Sequence, residues 1–159
     1  MYDIGDKIVY PMHGAGVVKA IEEKELFDEC QWYYLMEIIS EGMEILIPVD
    51  KADEIGVRPI VSLERINIML SALEGPMDEM LSNWTKRYQN NLELLKKGDL
   101  IDVAHVVRNL TLMDRKKGLS SGEKKMLVTA KNFLVSEMVV VCGKTKKEAD
   151  SVIEDRINA

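Results

Sequence analysis

The side chains that most often perform catalysis are few in this chain and are scattered along it. The sequence contains two histidines, His13 and His105, and two cysteines, Cys30 and Cys142. Catalysis needs a nucleophile beside a base, paired carboxylates, or a metal or cofactor site, and none of the corresponding short motifs occurs here. Two cysteines are also too few for a disulfide framework or a four-ligand zinc site, so we expect reduced thiols. The sequence therefore predicts a protein that is not an enzyme and uses no cofactor and no metal.

Three short segments superficially resemble ligand-binding loops. Residues 13–16 (HGAG) are similar to the start of a phosphate loop. They lack its Lys-Ser/Thr ending, however, and they lead into an expected strand, whereas phosphate loops open a helix. The acidic segments 22–25 and 50–54 lack the ligand and glycine spacing of a calcium loop. We interpret the first segment as a turn between strands and the other two as solvated turns.

The pattern that suggests recognition is an aromatic residue among cations. Trp84 stands beside Lys86 and Arg87, within the sequence NWTKRY. Further cations follow at Lys96, Lys97, Arg108, Arg115, Lys116, Lys117, Lys124, Lys125 and Lys131. Cations bind phosphates, and a flat aromatic side chain can stack on bases or wedge between them. The same cations could equally be ordinary solvated helix faces.

Trp84 itself has two interpretations. A helical spacing connects it to other apolar residues, and on this pattern alone the core of a bundle is the favoured location. The residues that share the spacing are Met80, Leu81, Tyr88, Leu92 and Leu95. Alternatively, Ser82 caps the helix, which would place Trp84 in its first turn at the edge of the bundle. The sequence leaves both open.

Charge is distributed unevenly along the chain. The net charge is −6, which argues against a protein held on DNA by charge alone. Residues 1–59 hold 5 Lys/Arg against 13 Asp/Glu, a balance of −8, whereas residues 60–159 hold 16 against 14, a balance of +2. Within residues 84–131 the balance is +6, from 11 cations and 5 anions. Two halves of opposite character indicate two different partners.

The elements that must position these residues change in type near residue 61. Before it, short alternating or β-branched runs predict strands over residues 7–10, 17–21, 31–39, 43–48 and 57–61. So many short strands in so little chain indicate a small, strongly bent antiparallel sheet or barrel. We expect a β domain over residues 1–61.

Residues 62–159 carry helical periodicity with clear start and stop signals. Ser62, Asp99, Ser120 and Thr145 are expected N-caps, the last two with Glu123 and Glu148 completing capping boxes. Gly98, Gly118 and Gly143 are expected helix ends. The pattern predicts five amphipathic helices in a compact bundle, and the whole chain is therefore expected to be of the α+β class.

Composition is that of an ordinary globular protein, with 47% hydrophobic and 30% charged residues in 159. The chain has no apolar run near the ~20 residues of a membrane helix and opens without the features of a secretory signal. We therefore expect a cytoplasmic protein, with no membrane partner and with a monomer as the default state.

The motifs together resemble those of a known family. The matching segments are residues 5–18 (GDKIVYPMHGAGVV), 47–48 (IP), 56–58 (GVR), 83–88 (NWTKRY), 106–110 (VVRNL) and 118–127 (GLSSGEKKML). In this order they resemble the CarD/CdnL family of bacterial transcription regulators, over essentially the whole chain. The N-terminal module of that family also occurs in the transcription-repair coupling factor, as its RNA-polymerase-interacting domain.

The resemblance implies an N-terminal Tudor-like or SH3-like barrel that docks on the β subunit of RNA polymerase. It implies that the helical domain meets promoter DNA, without sequence specificity, at the upstream edge of the transcription bubble. The tryptophan matching Trp84 would act there as a minor-groove wedge that slows collapse of the open complex, which favours the exposed interpretation. The predicted DNA-contacting residues are Trp84, Lys86, Arg87, Arg108, Lys124 and Lys125. Such a protein would be nucleoid-associated through the polymerase.

The chain departs from the family pattern where polymerase contacts are expected. The predicted polymerase-contacting residues are Lys24, Leu46, Ile47 and Pro48. Some relatives have arginines at the positions of Lys24 and Leu46, and a cation at Gln89. A lysine keeps the charge but not the bidentate geometry, and a leucine keeps neither. Either the contact is more apolar in this chain, or the alignment shifts by one residue where the turn at residues 41–42 differs in length. The alternative function is a protein–protein adaptor that bridges polymerase to another protein through the helical domain, with Trp84 as its central contact.

Overall fold

The computed structural model describes residues 1–79 and 82–159. Within them the chain is of the α+β class, with five strands in one antiparallel sheet and six α-helices. The strands are β1 (Lys7–Tyr10), β2 (Gly14–Leu26), β3 (Glu29–Ile38), β4 (Glu44–Pro48) and β5 (Arg58–Pro59). Their order in the sheet is β4-β3-β2-β1-β5. The predicted closure of this sheet into a barrel stays a prediction.

The hairpin of β2 and β3 is longer than the sequence suggested. Segment 22–25, expected to be a turn, lies in β2 and pairs with residues 30–33 of β3. The turn is instead at Phe27 and Asp28, whose φ angles of 54° and 65° both lie in the left-handed region. A two-residue hairpin loop favours a turn with positive φ at both positions, because the backbone twist of that turn matches the twist of the strands. A register shift between Val18 and Ala20 bends the hairpin.

Alternation along the strands separates the two faces of the sheet. One face packs a small apolar core. Its buried members are Ile8, Val18, Tyr34, Met36, Ile38, Ile47, Ala52 and Val57. A short helix that the sequence did not predict, α1 (Ala52–Ile55), covers one side of this core and ends at Gly56 in the left-handed conformation. It is the reason for six helices in the described residues where five were expected.

The other five helices begin and end close to where the sequence predicts. They are α2 (Leu63–Ala72), α3 (Trp84–Lys97), α4 (Leu100–Lys116), α5 (Ser121–Cys142) and α6 (Lys146–Asn158). Side chains of Ser62, Asp99, Ser120 and Thr145 cap their helices, and Gly98 and Gly143 end theirs in the left-handed conformation. Local signals were sufficient here because capping depends on residues three or four positions apart.

The sheet and the helices share a buried interface. Val9 and Ala15 of the β1–β2 hairpin belong to the same apolar cluster as the helices. The amide of Ala15 donates to Ser136 Oγ at 2.9 Å, and a Cβ on Gly14, whose φ is +106°, would lie 2.3 Å from that oxygen. Gly14 therefore serves close packing of the hairpin on α5, whereas a Cβ added to Gly16 would meet the carbonyl of Glu37 on β3. The interpretation of segment 13–16 as a turn is correct only for His13, because residues 14–16 belong to β2.

A buried carboxylate on α5 joins this interface to the end of the sheet. Glu137 is fully buried, and Arg58 of β5 donates to both of its oxygens at 2.8 Å. The amide of Val61 donates to the same carboxylate at 3.0 Å. Arg58 also donates to the carbonyl of Gly98, between α3 and α4. One ion pair thus connects the sheet, α5 and the α3–α4 junction.

Among the described residues no single helix is long and apolar enough to cross a membrane. The helices α5 and α6 are long and apolar enough only when they are taken together, and the chain bends by 116° between them.

Replacing Arg58 by Ala is expected to lower the free energy of unfolding by about 3 kcal/mol. The reason is that Glu137 would be left buried with one remaining donor, and removal of one partner from a buried pair typically costs ~3–5 kcal/mol. Urea denaturation at pH 7 measures the loss. Arg65→Ala is the matched control, because Arg65 and Asp99 form an exposed pair at 3.8 Å and such pairs contribute ~0–1 kcal/mol. Equal losses in both variants would contradict the assigned role of Glu137.

Candidate nucleic-acid and polymerase interfaces

Trp84 is the first residue of α3 and is 57% exposed. Asn83 caps the helix, since its side-chain oxygen accepts from the amides of Thr85 at 3.0 Å and Lys86 at 3.3 Å. The core location that the apolar spacing favoured is therefore wrong, and the edge location is right with Asn83 as the cap in place of Ser82. Met80 and Leu81, which shared that spacing, lie outside the described residues.

A buried ion pair places the first turn of α3 beside the first turn of α5. Arg87 Nε lies 2.9 Å from one oxygen of Glu123, and Arg87 Nη2 lies 3.1 Å from the other. Ser120 donates its hydroxyl to Glu123 at 3.1 Å. Next to the pair, the Tyr88 ring packs on Gly122: a Cβ added to this glycine would lie 3.6 Å from the ring. The two helix N-termini, each with the positive end of its dipole, are therefore neighbours.

This pair also changes the capping predicted for α5. The amide of Glu123 does bond to Ser120 Oγ. A capping box would also need the Glu123 carboxylate to accept from the Ser120 amide. The carboxylate accepts from Arg87 instead, so the box expected for α5 is incomplete. The hydrogen bond from Arg87 lowers the pKa of Glu123, against the opposing effect of burial. The same hydrogen bond raises the pKa of Arg87. A complete capping box does form at Thr145 and Glu148, as expected.

The predicted DNA-contacting cations separate into two groups. Lys86, Lys124 and Lys125 are exposed near the neighbouring N-termini of α3 and α5. Arg87 is not displayed in this way, because its side chain is only 14% exposed and is paired with Glu123. Its expected direct contact with DNA is therefore revised to a positioning role.

Arg108 is likewise a positioning residue rather than a surface cation. Its side chain is buried, and Nη2 lies 2.8 Å from Asp78 Oδ2. It also donates to the carbonyl of Ala72 at 3.2 Å and to the Asn109 side chain at 3.2 Å. A hydrogen bond from Asn109, followed by the charge of Arg108, lowers the pKa of Asp78. These contacts hold the segment after α2 against α4, ahead of Trp84 in the chain.

Three of the four predicted polymerase-contacting residues, Lys24, Leu46 and Pro48, lie on β2 and β4 at the sheet face turned away from its core. Leu46 is 37% exposed and pairs in register with Leu35, which pairs with Ala20. Lys24 lies further along the same face, with its ammonium 3.4 Å from Glu22. In the described residues β4 pairs on one side only, so its other edge is open.

Ile47 does not belong to this face. Its side chain is fully buried in the core of the sheet, so a direct side-chain contact with polymerase is wrong. The cause is strand alternation, which turns Leu46 and Pro48 outward and Ile47 inward. Leu35, which pairs with Leu46, was not among the predicted residues, because alternation in residues 33–36 indicates its face but not the register that pairs it with β4.

The described residues contain no cluster of three or more His, Cys, Asp or Glu side chains that could hold a metal ion. Cys30 and Cys142 are both free thiols.

Replacing Arg87 by Gln is expected to destabilise the protein in a pH-dependent way. Because the pKa of Glu123 is lowered in the folded state, the pair stabilises the fold above its ordinary value of 4.5 and loses this contribution as pH falls through the lowered value. At pH 7 we expect a loss of about 3 kcal/mol in the free energy of unfolding, because one partner of a buried pair is removed. The loss should shrink below pH 4.5, as Glu123 loses its charge. Urea denaturation of both proteins from pH 7 to pH 3 measures it. The control Arg156→Gln removes an exposed pair with Glu74 and should change the stability little. A loss in Arg87→Gln that does not depend on pH would contradict the assigned pairing of Arg87 with Glu123.

Comparison with known proteins gives matches over both halves of the chain. A family model described as the CarD-like/TRCF RID domain matches residues 2–61, and one described as the CarD C-terminal domain matches residues 68–154. The chain is similar to the putative transcription factor YdeB of Bacillus subtilis (strain 168), with 39% identity over 151 residues. That alignment covers 95% of this chain and 99% of the relative. With both of its characteristic regions present in order, the chain belongs to the CarD family of transcription regulators.

Proposed function

We propose that this protein binds the β subunit of RNA polymerase through its sheet and stabilises the open promoter complex through its helices. Membership of the CarD family supports a transcription-related role that involves RNA polymerase. The observation that carries the finer proposal is the exposure of Trp84 at a helix N-terminus, beside Lys86 and close to the start of α5. The function needs neither a cofactor nor turnover.

The site has the chemistry of a sequence-independent DNA contact. Exposed ammonium groups at Lys86, Lys124 and Lys125, together with two positive helix ends, attract the phosphate backbone. Phosphate contacts fix position and orientation but carry no sequence code. Trp84 can then insert at a base step that has already lost part of its stacking, as at the edge of the bubble.

The energy required is small. A regulator shifts the equilibrium between closed and open complexes only by its preference for the open form. A tenfold shift needs ~1.4 kcal/mol, and one aromatic stacked on a base supplies ~1–3 kcal/mol. Trp84 alone is therefore large enough to account for the effect.

We propose that the outward sheet face of β2, β3 and β4 makes the polymerase contact. Leu46 and Leu35 supply apolar area there, and β4 is an edge strand of the sheet in the described residues. Polymerase would provide most of the affinity and hold the helices at a high effective concentration near DNA. In this proposal residues 1–61 bind polymerase and residues 62–159 contact DNA. A monomer in the cytoplasm, associated with the nucleoid through polymerase, is sufficient for this function.

The adaptor alternative rests on the same exposed tryptophan. A side chain of this size, 57% exposed, could be the central contact of a protein interface. An apolar protein contact would respond weakly to salt, whereas a contact through Lys86, Lys124 and Lys125 would weaken steeply.

Replacing Trp84 by Ala is expected to shorten the lifetime of open complexes about tenfold relative to the wild-type protein. The reason is that the wedge is lost while the sheet and its polymerase contact are untouched. The measurement is the decay of open complexes formed by a cognate bacterial polymerase on a ribosomal-type promoter. Ile68→Ala, an exposed apolar residue on α2, is the control and should behave as wild type. If wild-type protein bound to polymerase leaves the lifetime unchanged, the open-complex mechanism is wrong and the adaptor function is favoured.

Replacing Lys124 and Lys125 together by Ala is expected to reduce the salt dependence of binding to the polymerase–promoter complex. Each lost phosphate contact lowers the slope of log affinity against log salt by about 0.9. Binding to polymerase alone should not change. The charge-matched control is the double replacement of Lys96 and Lys97, which end α3 about 20 Å from Trp84. Equal changes in the two double variants would show that the effect is general charge and not this site.

A further inference from the structure

A second aromatic site lies on the sheet, away from the surfaces described above. A cleft of about 320 Å³ is lined by Met1, Tyr2, Asp3, Ile21, Trp32, Tyr34 and Val49. Trp32 is 53% exposed, which is unusual for a tryptophan on the core-facing side of a sheet. A second depression of about 280 Å³ adjoins it and shares Trp32 and Val49.

Strand register places this cleft on the opposite face from the proposed polymerase contact. Trp32 and Tyr34 alternate with Tyr33 and Leu35 along β3, and Leu35 is the residue that pairs with the exposed Leu46. The cleft forms where the long β2–β3 hairpin extends beyond the small core. A ligand here would leave the outward face and Trp84 accessible.

The aromatic walls of the cleft are held in place by the surrounding chain. The rings of Tyr2 and Tyr34 meet edge to face with centroids 5.6 Å apart. The amide of Tyr2 donates to the Tyr34 hydroxyl at 3.0 Å, and the Tyr2 hydroxyl donates to the carbonyl of Val57 at 3.3 Å. These contacts fix the tyrosines, whereas Trp32 is left with an exposed ring.

Carboxylates surround this aromatic group. Asp3 lines the cleft, Asp50 lines the adjoining depression, and Glu23 pairs directly with Trp32 across the strands. Burial, with a further contribution from the charge of Asp53, raises the pKa of Tyr2. No lysine or arginine lines either depression, and the cationic group of the lining residues is the α-ammonium of Met1. Lys24, the nearest cation on β2 in sequence, lies on the other face by alternation.

We propose that this cleft binds a lysine or arginine side chain from a basic segment of a partner protein. A cation over the face of a tryptophan or tyrosine is attracted by the ring quadrupole, and nearby carboxylates add to that attraction. An acidic or phosphorylated segment would meet Asp3, Glu23 and Asp50 and be repelled. The site would give the β domain a second partner, and this proposal does not depend on the DNA contact.

The test uses the full chain labelled with ¹⁵N at its two tryptophan indoles, followed by NMR. The probes are two acetylated, amidated tripeptides, Gly-Arg-Gly and its counterpart with neutral citrulline in place of arginine. We expect a saturable shift of the Trp32 indole with the arginine probe, an affinity about fivefold or more weaker with citrulline, and no shift at Trp84. Raising the salt concentration should weaken the arginine response.

Two variants separate the site from general structural effects. The Asp3→Asn, Glu23→Gln double variant keeps the shape of the cleft and removes two charges, so it should weaken the arginine probe severalfold. Trp84→Ala removes the other exposed tryptophan and should bind as wild type. An equal response to both probes, a response confined to Trp84, or no saturable shift at Trp32 would each overturn the proposal. The assay contains neither polymerase nor DNA, so these outcomes are independent of the open-complex mechanism.

Discussion

The structure depends on a carboxylate that is fully buried in the C-terminal third of α5. Glu137 loses its hydration on folding, and such a charge is tolerated only with good hydrogen-bonding partners. Its partners are supplied by β5 and by the segment that leads into α2, so the ion pair forms only when sheet and helices are correctly packed. The fold therefore has a strong preference for one relative arrangement of its two halves, beyond what apolar contacts would select.

The same helix carries a second buried acid near its start. Glu123 receives Arg87 much as Glu137 receives Arg58, and the two acids lie fourteen positions apart on α5. At ~1.5 Å per residue they are about 21 Å apart. One end of α5 thus orders the surface that displays Trp84, and the region around Glu137 orders the junction with the sheet. A single helix positions both halves.

Local chemistry made most of the secondary structure predictable. Caps and helix ends depend on neighbours within one turn, so residues such as Ser62, Asp99 and Gly143 predicted the helix boundaries directly. Trp84 was ambiguous because its spacing to Tyr88 and Leu95 fits a core, while the deciding feature was the capping side chain of Asn83. The neighbouring Asn-Trp-Thr-Lys sequence contained that signal.

Pairing over long distances in the chain was not predictable. Arg87 and Glu123 are 36 positions apart, and Arg58 and Glu137 are 79 apart. Arg87 and Arg108 were therefore expected at the surface with the other cations, although each has a buried position. Ile47 is a different case, because the alternation of side chains along a strand could have assigned it to the buried face. The short α1 lacked enough residues to produce a helical period.

The close approach of Gly14 to Ser136 has a mechanical consequence. No side chain fits between the hairpin and α5, and the amide of Ala15 is bonded across the same gap. A bulkier residue at position 14 would have to push the hairpin away from α5, and the bond from Ala15 would be lengthened with it. The packing distance between sheet and helices is therefore set by the absence of a side chain at a single position.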